Sequence, residues 1–425
     1  MGEVQITLII GAVMLISYIW AKIPYGMTAV FSCLALEMTG VLSAKEAWEG
    51  FGDSTVFLFA SIFILGAGLL KTSFIAGLQK VIYRFGNSEG TLRWFCMGVA
   101  AVLAMLTSAT AAGATMLPML SVLCRNGKYK KSRLLKPVID AGCMGFAIMP
   151  FGMGAAFMEQ GNSYLKALDS SVRLSTFDSA VARLPVLIIT ILFMGFVGYR
   201  LLPDREAGCE ETEKEIKTAD TELLPRQNKW GIGIFFGSIL AMIISALVGI
   251  PSHYAPMAGA LLMVMSGVLK GKEAFHAIDL NTVCIFAGSL GFAAALTKTG
   301  IAGWIANKLI EAANYNVNEY AMVALFLLVP FIMTQFMGNI PVINLTMPIA
   351  ATVAVTTGMN PTSIMIATIA GATLSVATPM AAGVQALIMS PGGYRFGDYV
   401  KNGMPTAVIF IVSYILWAPL AFPLY

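Results

Sequence analysis

Apolar stretches of about 17 to 22 residues recur along the whole chain between short polar turns. Each is long enough to cross ~30 Å of hydrocarbon as a helix. A membrane-length window places spans near 4–20, 26–42, 54–70, 138–159 and 183–201. A second set falls near 230–248, 254–270, 282–297, 361–389 and 402–424. Two further apolar stretches, 94–124 and 319–354, are too long for one crossing. Small or polar residues interrupt both near the middle: Thr107-Ser108-Ala109-Thr110 and Gly338-Asn339-Ile340-Pro341. Irregular backbone at membrane depth is tolerated only inside protein or beside a water-filled cavity. Each stretch therefore reads as a re-entrant hairpin with its tip in the protein core, a kinked single span being the alternative. The pattern predicts an all-α polytopic membrane protein with about ten transmembrane helices plus two re-entrant hairpins.

Residues 202–229 form the one long polar stretch, with eight acids and five bases, and read as a solvated cytoplasmic linker. It divides the chain near its centre into 1–201 and 230–425, and these two units resemble each other. Residues 39–72 begin TGVLSAKEAWEGFGDSTVFLF and residues 266–299 begin SGVLKGKEAFHAIDLNTVCIF. A constant shift of 227 pairs Gly40 with Gly267, Lys45 with Lys272, Thr55 with Thr282 and Lys71-Thr72 with Lys298-Thr299. The interrupted stretches align too, Ser108 with Gly338 and Pro118 with Pro348. Five crossings and a hairpin make an odd unit, so the second unit is expected upside down relative to the first. Inverted repeats with broken helices at the midplane are a transporter architecture.

Charge placement orients the spans. If the hairpins return to their own side, one side collects 21 of the 27 Lys and Arg, including the run Arg125, Lys128, Lys130, Lys131, Arg133, Lys136. The other holds six: Lys45, Lys166, Arg173, Arg183, Lys298 and Lys308. The positive-inside rule puts the first side in the cytoplasm and both termini outside, in a plasma (inner) membrane. The N-terminal flank carries Glu3 and no base, so residues 4–20 read as a retained span rather than a signal peptide.

Composition agrees and excludes other classes. The chain is 57% hydrophobic and 12% charged, half the charge density of a soluble domain. Basic residues in short loops give no nucleic-acid surface. The six cysteines are dispersed without a CxxC, and His253 and His276 fall in expected loops, so neither disulfide framework nor zinc site is supported. An enzyme would need an acid, base or nucleophile converging inside the bundle, and spans almost free of acids and histidines offer none. A channel would show no concentrative uptake.

The chemistry concentrates at the interruptions. Helix N-termini at a tip present free N–H groups, small residues let a ligand approach, and unwound carbonyls coordinate Na⁺. Further along each unit lie two more broken segments, FGMGAAFMEQGN at 151–162 and ATPMAAGVQ at 377–385. Candidate substrate contacts are Ser108, Ala109, Thr110, Gly338, Asn339, Pro341, Ala382 and Gln385. Candidate cation contacts are Ser108, Ala109, Gly152, Gly154, Gly338, Asn339 and Thr378. Small residues also simply let membrane helices pack, so each alone reads either way. Recurrence at matched positions favours the site. No Lys or Arg sits at the tips, so an anion there depends on helix dipoles, amide and hydroxyl donors, and co-bound cations. Glu37 is read as the one acid well inside a span, either a proton-coupling carboxylate or a snorkelling side chain. Lys71 and Lys298 snorkel at span ends, and 72–86 reads as an interfacial amphipathic helix.

These motifs resemble the divalent anion:sodium symporter family of the ion transporter superfamily. Family hairpins carry Ser-Asn-Thr and an Ala-rich run ending in Pro. SATAAGATMLP at 108–118 keeps that spacing with Ala109 in place of Asn, and GNIPVINLTMP at 338–348 keeps Asn339 without the Ser and Thr. SPGGYRFGDYVKNGMP at 390–405 is similar to the family's Gly-Gly-Tyr-Arg-Phe segment. Ala382-Gly383-Val384-Gln385 stands at its Thr-Pro-Pro-Asn stretch. The resemblance covers nearly the whole chain. It implies an elevator-like secondary transporter of small di- or tricarboxylates, coupled to Na⁺, needing no other cofactor and working as a homodimer in the bilayer. The alternative is a proton-coupled carrier or exchanger of a related oxyanion such as sulfate.

Overall fold

The computed structural model describes residues 2–20, 22–84, 88–124, 129–205, 223–248, 250–251, 253–301, 304 and 319–424. Residues 206–222 of the polar linker, together with Arg125, Lys128, Cys209 and Lys308, lie outside them. The described residues are helical with no strand. Eight helices are long and apolar enough to cross a membrane, and five shorter apolar helices accompany them.

The first unit opens with α1 (Glu3–Trp20), α2 (Tyr25–Met38), a short α3 (Ala44–Trp48) and α4 (Ser54–Lys71). An amphipathic α5 (Phe74–Arg84) follows, where 72–86 was expected to lie at the interface. Next come α6 (Glu89–Leu106), α7 (Ala109–Cys124), α8 (Lys131–Gly145), α9 (Gly152–Ala167) and α10 (Asp178–Phe196). The second unit runs α11 (Pro225–Val248), α12 (Tyr254–Met265), α13 (Gly271–Ala277), α14 (Leu280–Lys298), α15 (Glu319–Thr334), α16 (Asn339–Thr357), α17 (Pro361–Thr373), α18 (Gly383–Leu387) and α19 (Phe396–Ala421).

Local structure repeats with the sequence. Gly40 and Gly267 both take φ +74°, a left-handed turn open to glycine at little cost. Glu46 and Glu273 each reach back to the backbone N–H three residues earlier, at Ser43 and Lys270. Asp53 and Asp279 cap α4 and α14 through the N–H groups of Thr55 and Thr282. Two ion pairs then tie the units together reciprocally: Lys71 with Glu273 at 2.7 Å and Lys298 with Glu46 at 3.0 Å. The end of each long helix therefore meets the segment preceding the other, so α4 and α14 run antiparallel. Around them α2 packs on α14 and α12 on α4.

Burial separates two groups of helices. On α1, Val4, Leu8, Val13 and Ile16 are exposed, and on α11 so are Phe236, Leu240, Ile244 and Leu247. Such apolar stripes face hydrocarbon in a membrane protein. At the other extreme, every residue of α17 is buried. It packs on α15 and α16, while α8 packs on α6 and α7. The two groups adjoin where α14 meets α16 and where α4 and α14 meet α9.

Four expected boundaries shift. The span 138–159 is two helices, α8 and α9, parted at 146–151, and 151–162 is therefore not broken: α9 is continuous from Gly152. Pro150 has no N–H for the Phe146 carbonyl and keeps Met149 out of the helical region. The span 361–389 parts at 374–382, where Pro379 lacks the N–H for Ser375. The first interruption is Thr107-Ser108 alone, with Ala109 and Thr110 already in α7. The second is 335–338, with Asn339 to Pro341 forming the first turn of α16, where proline is tolerated.

Candidate transport site

The tips hold their own helix ends. Ser108 is half-buried, and its Oγ accepts the Ala111 N–H at 3.1 Å. Ala109 is half-buried and Thr110 exposed. Gly338 caps α16, Pro341 is buried, and Asn339 Oδ1 accepts the Thr334 hydroxyl at 3.0 Å. Thr378 Oγ1 donates to the Gln335 carbonyl at 2.6 Å, tying the second broken segment to the second tip. Gly152 lies against the end of α6: a Cβ there would stand 3.4 Å from the Met105 carbonyl, and φ is +58°. Gly154 is buried against the Met149 carbonyl with no room for a side chain. Ala382 caps α18, and α18 seats Val384 in the space left by Gly113 of α7. The candidates thus fall into two groups, Gly152 at the first tip and Thr378 at the second.

Gln385 bonds elsewhere, to α8 and to the second break. It is fully buried, and its Nε2 donates to Asp140 Oδ1 at 2.7 Å and to the Ser375 carbonyl at 2.9 Å. Ser375 is the carbonyl that Pro379 leaves without its helical partner. The neighbouring Val376 carbonyl accepts Lys136 Nζ at 2.7 Å, and that ammonium also bonds both oxygens of Asp140 at 2.6 and 2.7 Å. Lys136 and Asp140 are both wholly buried. Tyr399 completes the surroundings, its ring centroid 5.1 Å from Nζ and its hydroxyl on the Gln385 carbonyl at 2.6 Å.

The glycine-rich 390–405 segment supports the same helix. Tyr394 Oη donates to the Ser132 carbonyl at 2.7 Å and accepts the Lys136 N–H at 3.1 Å. A hydroxyl inserted into the backbone ladder opens the helix locally.

At the first break the carbonyls go to an arginine. Arg183, fully buried, donates to Phe146 O at 3.1 Å, Ala147 O at 2.9 Å and Met144 O at 3.4 Å. It reaches the second break as well, donating to Thr373 Oγ1 at 2.6 Å. Ala147 sits at φ +60°, a strained position for a side chain, with its carbonyl held by both Arg183 and Ser179. Among the described residues Arg183 has no carboxylate partner, and its Nε lacks an acceptor. The two breaks therefore meet in one polar core carrying net positive charge.

Three expectations need correction. The charge pattern places Lys136 among the cytoplasmic loop charges and Arg183 among the outer ones, but both are core groups. Glu37 is not the one acid inside a span: Asp140 is deeper, while Glu37 accepts the Trp48 indole N–H at 2.6 Å. Window counting assigns any Lys or Arg to a loop. The readable signal was the i,i+4 spacing of Lys136 and Asp140 on one helix face.

A second polar patch lies where α9 meets α14 and α16. Gln160 Nε2 donates to Asn344 Oδ1 and Tyr164 Oη, both at 2.8 Å, and Tyr164 Oη lies 2.6 Å from Ser289 Oγ.

A family model described as citrate transporter matches residues 14–371 of this chain. The sodium-dependent dicarboxylate transporter SdcS of Staphylococcus saprophyticus is 22% identical over 441 residues, covering 95% of this chain and 84% of that protein. An uncharacterized transporter of Synechocystis is 31% identical over 174 residues, which is 41% of this chain and only 28% of that protein's length. The structure of the YdaH transporter of Alcanivorax borkumensis matches with a TM-score of 0.64 at 14% identity, covering 89% of this chain and 87% of that one.

Proposed function

We propose, from the premise that this chain belongs to the citrate transporter family, that it is a secondary active transporter of small di- and tricarboxylate anions. That it is an integral membrane transporter, and not an enzyme, follows from the family itself. The observation that carries the finer reading is the meeting of two proline-broken helices around the buried Arg183. A buried cation without a carboxylate is costly unless an anion visits it. Broken helix ends lend it further donors.

In this reading the two units are inverted repeats, supported by the reciprocal Lys71–Glu273 and Lys298–Glu46 pairs. The inner group of helices carries the anion past the outer group in an elevator-like movement, with the Gln160–Tyr164–Ser289 patch in the contact that must slide. The homodimer and the cytoplasmic placing of 202–229 belong to the same reading. Sodium coupling is its first form, supported by the sodium-dependent relative. The buried basic groups at both breaks support a second form, in which fixed charge does the work of sodium.

The substrate class is tested by thermal denaturation of the purified protein in detergent with citrate, succinate, malate and acetate. A ligand at a hundred times its Kd stabilises the folded state by about 2.7 kcal/mol. Stabilisation by the polycarboxylates but not by acetate is expected. Equal shifts with all four, or none, contradict the reading.

A further inference from the structure

Sodium in such a site would be coordinated by carbonyls freed where helices unwind. In this chain several of those carbonyls already have side-chain partners, and two of the partners, Arg183 and Lys136, are cationic beside the neutral amides of Gln335 and Gln385. Arg183 holds Met144, Phe146 and Ala147, while Lys136 holds Val376 beside the Ser375 carbonyl taken by Gln385. We propose that Arg183 is a tethered counter-cation, with the neutralised Lys136 occupying a coordination position at the second break, so that anion binding in this chain does not depend on sodium. The proposal rests on the carboxylate reading above.

The two side chains divide the task. Lys136 is neutralised by Asp140, so the pair adds no net charge, and the ammonium fills a coordination position at the second break. Arg183 supplies the charge. It is buried, bonded only to carbonyls and hydroxyls, and bridges both breaks from Phe146 to Thr373. A sodium ion on one of those carbonyls would stand about 4 Å from the guanidinium. At an effective dielectric of about 20, repulsion at that distance lowers its occupancy roughly a thousandfold. Conversely, the same fixed charge favours an anion without any prior cation binding, which removes the reciprocal linkage a sodium symporter requires. Energy for uptake then comes from protons or from a counter-transported anion.

The test is calorimetric binding of citrate and of succinate to the whole purified protein, in sodium chloride and in N-methylglucamine chloride at equal ionic strength. Wild-type affinities are expected to agree within about twofold between the two salts. Arg183→Gln is expected to lose about tenfold or more in N-methylglucamine and to regain part of the loss in sodium. Arg183→Lys, which keeps the charge, loses less and gains no sodium dependence. A merely structural arginine would not exchange fixed charge for sodium dependence. Wild-type affinity that rises tenfold with sodium overturns the proposal, as does a folded Arg183→Gln with unchanged affinity in N-methylglucamine. If Arg183→Gln does not fold, radioactive sodium binding to the wild type decides: saturable binding enhanced by citrate overturns the proposal, and its absence supports it. No binding of either anion in either salt overturns the substrate reading and this proposal with it, whereas sodium-dependent binding overturns this proposal alone.

Discussion

At the first break Pro150 frees a carbonyl and an arginine from α10 takes it; at the second Pro379 frees one and an amide takes it, with a lysine on the next carbonyl. Both solutions satisfy backbone polar groups that could not be left bare in a membrane protein. They differ in charge. The second break is closed by a neutral Lys136–Asp140 pair, whereas the first is held by Arg183, which has no acid beside it among the described residues. A neutral pair is a structural clamp, which moves with its helix and asks nothing of the ligand. An unpaired cation is different, because its electrostatic cost falls only when an anion is present. On this contrast the second break is expected to carry chiefly stability and the first chiefly anion affinity.

Breaking the clamp gives the largest effect. Lys136→Met leaves Asp140 charged and buried without a partner, which costs about 3–5 kcal/mol. Pairing it with Asp140→Asn removes the orphaned charge and should restore most of that loss in detergent melts. A double variant no more stable than the single one would mean the pair does more than neutralise itself. At the first break the geometry around Ala147 sharpens the contrast. Ala147→Gly relieves a left-handed alanine but loosens the unfolded chain, and should stay within about 1 kcal/mol of wild type. Ala147→Val, branched at a positive φ, should lose about 2 kcal/mol or more. Equal stabilities would show that the strain at φ +60° is not real.

The tips come next. Ser108→Ala and Asn339→Ala each remove one hydrogen-bonding group, about 1 kcal/mol, and should lower uptake several-fold while leaving the melting temperature near wild type. Normal transport by both folded variants would remove the tips from the site. Smallest is the outer rim. Lys71 and the Lys270 N–H hold the Glu273 carboxyl below the usual carboxylate range. Its folded pKa is depressed, so its contribution is complete above the unfolded value and fades as pH falls through the folded one. That contribution is at most about 1 kcal/mol for a half-buried pair at the surface. Glu273→Gln should therefore melt slightly below wild type at neutral pH, and the gap should close in acid.

Much of this was legible in the sequence. The 227-residue shift predicted paired features, and Gly40 with Gly267 and Glu46 with Glu273 share conformation and caps. The tip interruptions were visible because Thr107-Ser108 and Gly338 break apolar runs. The break at 146–151 precedes the broken segment expected at 151–162, because FAIMPF is itself apolar and hydropathy does not register an unwound backbone; Pro150 is the one local mark. Arg183 and Lys136 were misplaced for a related reason. Their burial depends on carbonyls freed far away in sequence, at Phe146 and Val376, and no local window contains both partners.

Transport of small polycarboxylates is measured by uptake into liposomes holding the purified protein. Labelled citrate, succinate and sulfate would be offered with an inward sodium gradient, an inward proton gradient, or internal unlabelled anion. Citrate or succinate is expected to accumulate even when sodium is replaced, driven by protons or by exchange. Absence of carboxylate uptake under all three conditions, or uptake of sulfate alone, would contradict it.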